Sequence, residues 1–170
     1  MTDIADAAPG TARDGDPGGR RAVPTDEQLA SWRAFLKAHA TITRVLETEL
    51  VAEQRLSLAA YDVLVQLAEA PGRRLRMTEL ADAVLLSRSG VTRLVDRLER
   101  AGLVSRSPVA GDGRGVAAAL TDAGVNRLRV ASRTHLAGVL RHFVDQLDAG
   151  EMAQLETISD KLAGYSNVRG

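Results

Sequence analysis

Between residues 73 and 115 the sequence places nine arginines, at 73, 74, 76, 88, 93, 97, 100, 106 and 114, against five acids, at 79, 82, 96, 99 and 112. That segment carries +4 while the whole chain sums to zero, so the remainder carries −4. The neutral average conceals a charge dipole. Arginine outnumbers lysine twenty to two, so the positive pole consists of planar guanidinium forks, which suit phosphate oxygens and guanine edges.

Other chemistries find less support. The absence of cysteine removes disulfides, cysteine-containing zinc sites, thiol catalysis and thiol redox sensing. Three histidines stand at 39, 135 and 142. His135 and His142 are seven apart on one helix face and read as interface or surface residues, so no metal site is expected. There is no nucleophile motif, phosphate loop or His-Glu zinc signature, so neither an enzyme nor a cofactor is expected. Aromatic residues make up 3%, which argues against stacking platforms for single-stranded nucleic acid. No apolar run approaches the roughly 18 residues that span a bilayer, and the first two dozen residues lack a secretory signal pattern. A cytoplasmic protein without a membrane partner is the expectation.

The elements that must position the arginines follow from local signals. The chain has 170 residues, 45% of them apolar, enough for one modest domain with a core. Residues 1–24 hold four Gly, three Pro and four Asp without apolar periodicity and read as a disordered tail. Thr25 to Gln28 form a capping box that opens a helix over about 26–53. Its broad apolar stripe, including Leu29, Trp32, Leu36, Leu46 and Leu50, predicts burial on two sides. Ser57 caps a second helix, which ends near Pro71-Gly72. A short extended piece surrounds Leu75 to Met77. Thr78 is then expected to cap a brief third helix, with Leu80 and Ala81 inward. Ser87 caps a fourth, about 88–101, whose Val91, Leu94, Val95 and Leu98 follow the i, i+3, i+4, i+7 spacing, and Gly102 stops it.

Beyond Gly102, strands at 103–107 and 116–120 flank a Gly- and Asp-rich turn at 111–115, a β-hairpin signal. Thr121 caps a fifth helix reaching about Leu147, near 26 residues and roughly 39 Å. A domain of this size has no core that long, so part of the row Val125, Leu128, Leu136, Val139, Leu140, Phe143 and Leu147 is expected to meet another chain. Asp148 to Glu151 form a further capping box before a last helix with Met152, Leu155, Ile158 and Leu162. Helix, short helix, turn, helix, hairpin is the winged helix-turn-helix order. The expected fold is mainly α with a small β-hairpin wing.

In order and spacing, Leu80-Ala81, Val91-Thr92-Arg93-Leu94-Val95-Asp96-Arg97-Leu98-Glu99, Gly102-Leu103-Val104, Asp112-Gly113-Arg114-Gly115 and Leu120-Thr121-Asp122-Ala123-Gly124 resemble the signature of the MarR family of bacterial transcriptional regulators. The resemblance covers about residues 26–163. It implies a homodimer whose first, fifth and sixth helices interlock, each subunit presenting a winged helix to half of a pseudo-palindromic operator on double-stranded DNA. Repression is the family default, with release by a small, often aromatic and anionic effector. The implied organisation is a tail at 1–24, a dimerisation helix at 25–56, a winged DNA-binding domain at 57–120, dimerisation helices at 121–163 and a tail at 164–170. The alternative is a helical dimer acting through protein partners, with a degenerate winged domain.

Within this frame Ser87, Ser89, Thr92 and Arg93 are candidates for base edges and flanking phosphates, with Arg97 on the flank of the same helix. Gly90 allows close backbone approach, or is a plain surface glycine. Arg114 at the wing tip is expected in the minor groove. Asp112 pairs with an arginine to hold the wing, as in the family, or is an ordinary turn aspartate. Arg73, Arg74 and Arg106 are phosphate neighbours or solvated loop charges. By resemblance Trp32, Phe35 and His39, with Tyr61 and Asp62, line the effector pocket, although Trp32 and Phe35 also sit at core spacing. Some urate-responsive members carry an Asp and an Arg at positions that resemble Asp62 and Arg93.

Overall fold

The computed structural model describes residues 23–84, 87–109 and 111–166, and of residues 113, 114, 165 and 166 it describes only the backbone. Residues 1–22 and 167–170, and with them most of the two expected tails, lie outside the described residues. Helix α1 spans Asp26–Gln54, α2 Leu58–Glu69, α3 Met77–Ala83, α4 Arg88–Arg100, α5 Asp122–His142 and α6 Ala149–Ser166. The strands are β1 Arg74–Arg76, β2 Val104–Val109 and β3 Asp112–Leu120. Among the described residues, no helix is long and apolar enough to cross a membrane.

The chain divides between Phe35 and Leu36 into a short amino-terminal unit and a main unit. In the first, the expected capping box is present: the Thr25 N–H donates to Gln28 Oε1 at 2.9 Å and the Gln28 N–H to Thr25 Oγ1 at 3.2 Å. Trp32 and Phe35 stack with ring centroids 6.0 Å apart, and both are exposed.

The main unit starts its helices with local side-chain caps. Ser57 Oγ accepts from the Ala60 N–H at 3.2 Å, Ser87 Oγ from Gly90 at 3.1 Å and Thr121 Oγ1 from Gly124 at 3.0 Å. Each satisfies a donor that the first helical turn leaves orphaned. Asp148 and Glu151 exchange the expected pair of bonds at the start of α6. Gly102 closes α4 at φ 72, a left-handed conformation that favours glycine, with the Leu103 N–H returning to the Leu98 carbonyl at 2.9 Å.

The core sits where α2, α3 and α4 meet the sheet, around Val63, Leu64, Leu67, Leu80, Val91, Val95 and Val104. The sheet has three antiparallel strands in the order β1-β3-β2, with Leu75 opposite Ala118 and Val104 opposite Leu120. Small residues, Ala117 and Ala118, occupy the buried stretch of its central strand.

Several expectations are corrected. The cap of α3 is Arg76 rather than Thr78, because Glu79 reaches back to the Arg76 N–H at 2.8 Å. The extended piece before α3 is a third strand, added to the expected two-stranded hairpin by pairing with β3. Asp112 to Gly115 belong to β3 rather than to the turn. Helix α5 stops at His142, after 21 residues and about 31 Å, and a 3-10 turn follows at Val144–Gln146. Only Leu46 and Leu50 of α1 are buried, so the chain itself leaves most of that stripe uncovered.

Candidate nucleic-acid interface

Helix α4 divides cleanly by face. Val91, Leu94, Val95 and Leu98 are buried against the core, which turns Ser89, Thr92, Arg93 and Arg97 outward, all exposed, with Gly90 half-buried at the edge. The Ser87 and Ser89 hydroxyl oxygens lie 3.3 Å apart, and Thr92 Oγ1 donates to the Arg88 carbonyl at 2.9 Å. Arg97 and Arg100 stand in the last turn, where the helix dipole favours cations. Among the described residues, neither the Arg93 nor the Arg97 guanidinium has a hydrogen-bond or ion-pair partner.

The arginines of the wing base are arranged differently. Arg106, at the middle of β2, lies 2.6 Å from Asp96 Oδ1 and 2.6 Å from Glu99 Oε2, while its backbone N–H donates to Glu99 Oε1 at 3.0 Å. The hydrogen bond from Arg106 is the main reason that the Glu99 carboxyl is held below its ordinary pKa, and the same contact raises that of the guanidinium. This expected phosphate neighbour therefore clamps β2 onto α4. Arg76 grips Asp112 at 2.7 Å, the arginine partner expected for the wing aspartate. Arg74 donates to the Pro108 carbonyl at 3.0 Å, and Arg73 stands 3.8 Å from Asp122 across an exposed gap. Arg114 has its backbone in β3, and its side chain lies outside the described part.

Sequence reasoning missed Arg76, Asp96 and Glu99 as holders of the wing. The available signal was Glu99, seven residues before Arg106 across a turn that reverses the chain at Gly102. A cavity of about 400 Å³ opens between the start of α3, Thr92 of α4 and the wing, with Arg76, Arg106 and Asp112 on its walls.

The residues expected around an effector separate. Trp32 and Phe35 belong to the amino-terminal unit and contact one another. His39 is exposed on α1. Tyr61 is buried, with its hydroxyl 3.3 Å from Ser132 Oγ and its ring centroid 4.5 Å from that of His135. Burial lowers the His135 pKa against the pull of Asp62, and its Nδ1 has no hydrogen-bond partner in the protein. Partial enclosure raises the Asp62 pKa; Glu47 adds to the rise and His135 opposes it. The structure thus joins Tyr61 and Asp62 to His135, a residue the sequence placed at an interface or on the surface. Among the described residues, no group of three His, Asp or Glu side chains is arranged to hold a metal ion.

A second polar seam joins α1 to α5. Glu49 accepts from Arg141 at 3.0 Å and meets His142 Nε2 at 2.8 Å, while Thr134 Oγ1 bonds Gln54 and Glu53 at 3.0 and 2.9 Å. Gly138 permits the approach, since a Cβ there would lie 2.6 Å from Glu49 Oε2 and 2.8 Å from Leu46 Cδ2.

A family model described as MarR family matches residues 56–115. AbsC from Streptomyces coelicolor, a MarR family transcriptional regulator of known structure, is 32% identical with a TM-score of 0.78, covering 87% of this chain and 99% of that one. Sco3205 from the same organism, a MarR family transcriptional regulator solved in complex with DNA, is 34% identical with a TM-score of 0.79, covering 85% of this chain and 90% of that one. The HTH-type transcriptional regulator PecS of Dickeya dadantii is 34% identical over 92 residues, 51% of this chain and 54% of PecS. The chain spans about half the length of that curated relative.

Proposed function

The chain belongs to the MarR family of DNA-binding transcriptional regulators, and from that premise we propose that it is a homodimeric repressor of a pseudo-palindromic operator, released by a small effector. The observation that carries the DNA reading is the contrast on α4: one face is wholly buried, while the other presents Ser89, Arg93 and Arg97 with no protein partner for either guanidinium. An unpaired guanidinium on a fixed helix is preorganised for a base edge or a phosphate.

Each protomer lays α4 in the major groove of one half-site. Ser87, Ser89, Thr92 and Arg93 meet base edges and flanking phosphates, and Gly90 lets the backbone approach. Arg97 takes a phosphate, Arg73 and Arg74 add exposed positive charge beside it, and Arg114 enters the minor groove. Arg106 and the Arg76–Asp112 pair hold the wing at its angle to α4. Exposed Leu136 and Leu140 on α5 and Ile158 and Leu162 on α6 support a dimer interface built from the outer helices, as does the uncovered stripe of α1. The relatives are transcriptional regulators, and no step of bond chemistry is assigned to this chain.

The test is a titration of the full chain against the DNA upstream of its own coding sequence, in a salt series with excess competitor. Protection of a pseudo-palindrome with half-sites about one helical turn apart, and an affinity that falls steeply with salt, are expected. A shallow salt dependence with no preference over competitor would return the chain to the protein-interaction alternative.

A further inference from the structure

A cavity of about 390 Å³ lies behind α4, walled by the α1–α2 loop, by α4 itself and by α5. Arg55, Arg97 and Arg127 line it, and no acid does. Its floor includes the buried side chains of Leu56, Leu94 and Leu98. The arginines of the wing cavity are already neutralised, Arg76 by Asp112 and Arg106 by Asp96 and Glu99. Here none is. Among the described residues, Arg55 and Arg97 have no side-chain partner, and Arg127 donates only to the neutral Gln54 carbonyl oxygen at 3.1 Å.

Like charges gathered over an apolar surface repel one another, and an anion removes that penalty. Arg55 adds a separate sign. Its φ of 49 lies in the left-handed region, which a non-glycine residue enters at a cost of order 1–3 kcal/mol. Strain of that kind persists where the surroundings or a ligand role demand the geometry, and here it holds a guanidinium on the wall of the cavity.

We propose that this cavity is a binding site for a small organic carboxylate. The carboxylate sits among the three guanidinium forks, whose paired N–H donors match its two oxygens. The apolar body of the ligand covers Leu56, Leu94 and Leu98. Arg97 belongs both to this cavity and to the flank of α4, so a bound carboxylate holds that guanidinium away from a phosphate and opposes DNA binding. This last link rests on the DNA reading above; the site itself does not.

The experiment is calorimetric titration of the full chain with phenylacetate, and with inorganic phosphate as the anion without an apolar body. One saturable phenylacetate site per chain is expected, at least about tenfold tighter than phosphate and weakened by salt. Arg55→Gly removes one cation at a φ that glycine adopts freely, and Arg127→Gln removes another. Each should weaken phenylacetate about tenfold, with no fall in the unfolding temperature of the ligand-free protein. Three results overturn the site: no saturable binding, binding that both substitutions leave intact, or phosphate binding as tightly as phenylacetate. The last would mark a seat for a DNA phosphate. In a parallel DNA titration, phenylacetate should weaken the wild-type complex and spare that of Arg55→Gly. Phenylacetate binding by a chain that shows no salt-dependent DNA affinity would sink the regulator reading and leave the site standing.

Discussion

The winged module and the outer helices treat the same residue types in opposite ways. In the module, Val63, Leu64, Leu67, Leu80, Val91 and Val95 are all 0% exposed, packed by their own chain. On α5 and α6, Leu136 is 62% exposed, Leu140 51%, Ile158 55% and Leu162 57%. The first region completes its core alone. The second leaves a row of aliphatic side chains that a monomer gains nothing by displaying. Stability of the fold and assembly of the regulator therefore reside in different parts of the molecule and can be perturbed separately.

The largest separation should come from Leu64→Ala, which empties a fully buried site. A loss of about 2–5 kcal/mol is expected in denaturant unfolding; a loss below about 1 kcal/mol would mean that the module does not carry the core. Next is the double substitution Leu136→Glu with Leu140→Glu. It places charge on the exposed row, so it should leave unfolding of the isolated module within about 0.5 kcal/mol and raise the dimer Kd by about 100-fold or more. Sedimentation velocity across a concentration series reads the result, and an unchanged dimer would place the interface elsewhere.

Arg93→Ala should do neither. It is expected to cost about 1–3 kcal/mol of DNA affinity at one base pair if the guanidinium reads a base, measured by competition against operators altered one position at a time. A uniform loss across all sequences makes it a phosphate contact. The smallest effect belongs to the α1–α5 seam. His142 first, and Arg141 second, hold the Glu49 carboxyl below its ordinary pKa of 4.5. Such a depressed carboxylate adds stability above its unfolded pKa and loses it as pH falls through the folded value. Glu49→Gln should therefore lower the unfolding temperature slightly at neutral pH, by roughly 0–1 kcal/mol for a partly exposed pair. The difference from wild type should vanish as pH drops below the ordinary glutamate range. A gap that persists in acid would mean that Glu49 acts through packing against Gly138 rather than through charge.

Much of this molecule was determined by residues within a few positions of one another. The caps at Ser57, Ser87 and Thr121, the reciprocal pair of Asp148 and Glu151 and the buried stripe of α4 all arise within one turn of helix or at helical spacing, and all are present. The winged order was legible for that reason, and with it the exposed face that carries Ser89, Arg93 and Arg97. The third helix shows where local reading fails: Thr78 and Arg76 are both plausible starts, and pairing of β1 with β3 selects the second.

The partners of the charged side chains belong to the tertiary structure. Arg76 finds Asp112 across 36 positions, Arg74 finds Pro108 across 34, and Tyr61 meets Ser132 across 71. Composition supplied nine arginines in one segment without saying which would clamp the wing and which would stay unpaired. That division depends on where β2 lies against α4, and so on the sheet and the core beneath it. Local hydrogen bonds and periodicity are set by neighbours in the chain, so sequence determines them directly. An ion pair between distant segments exists only after apolar burial has brought its two ends together, so the fold alone decides it.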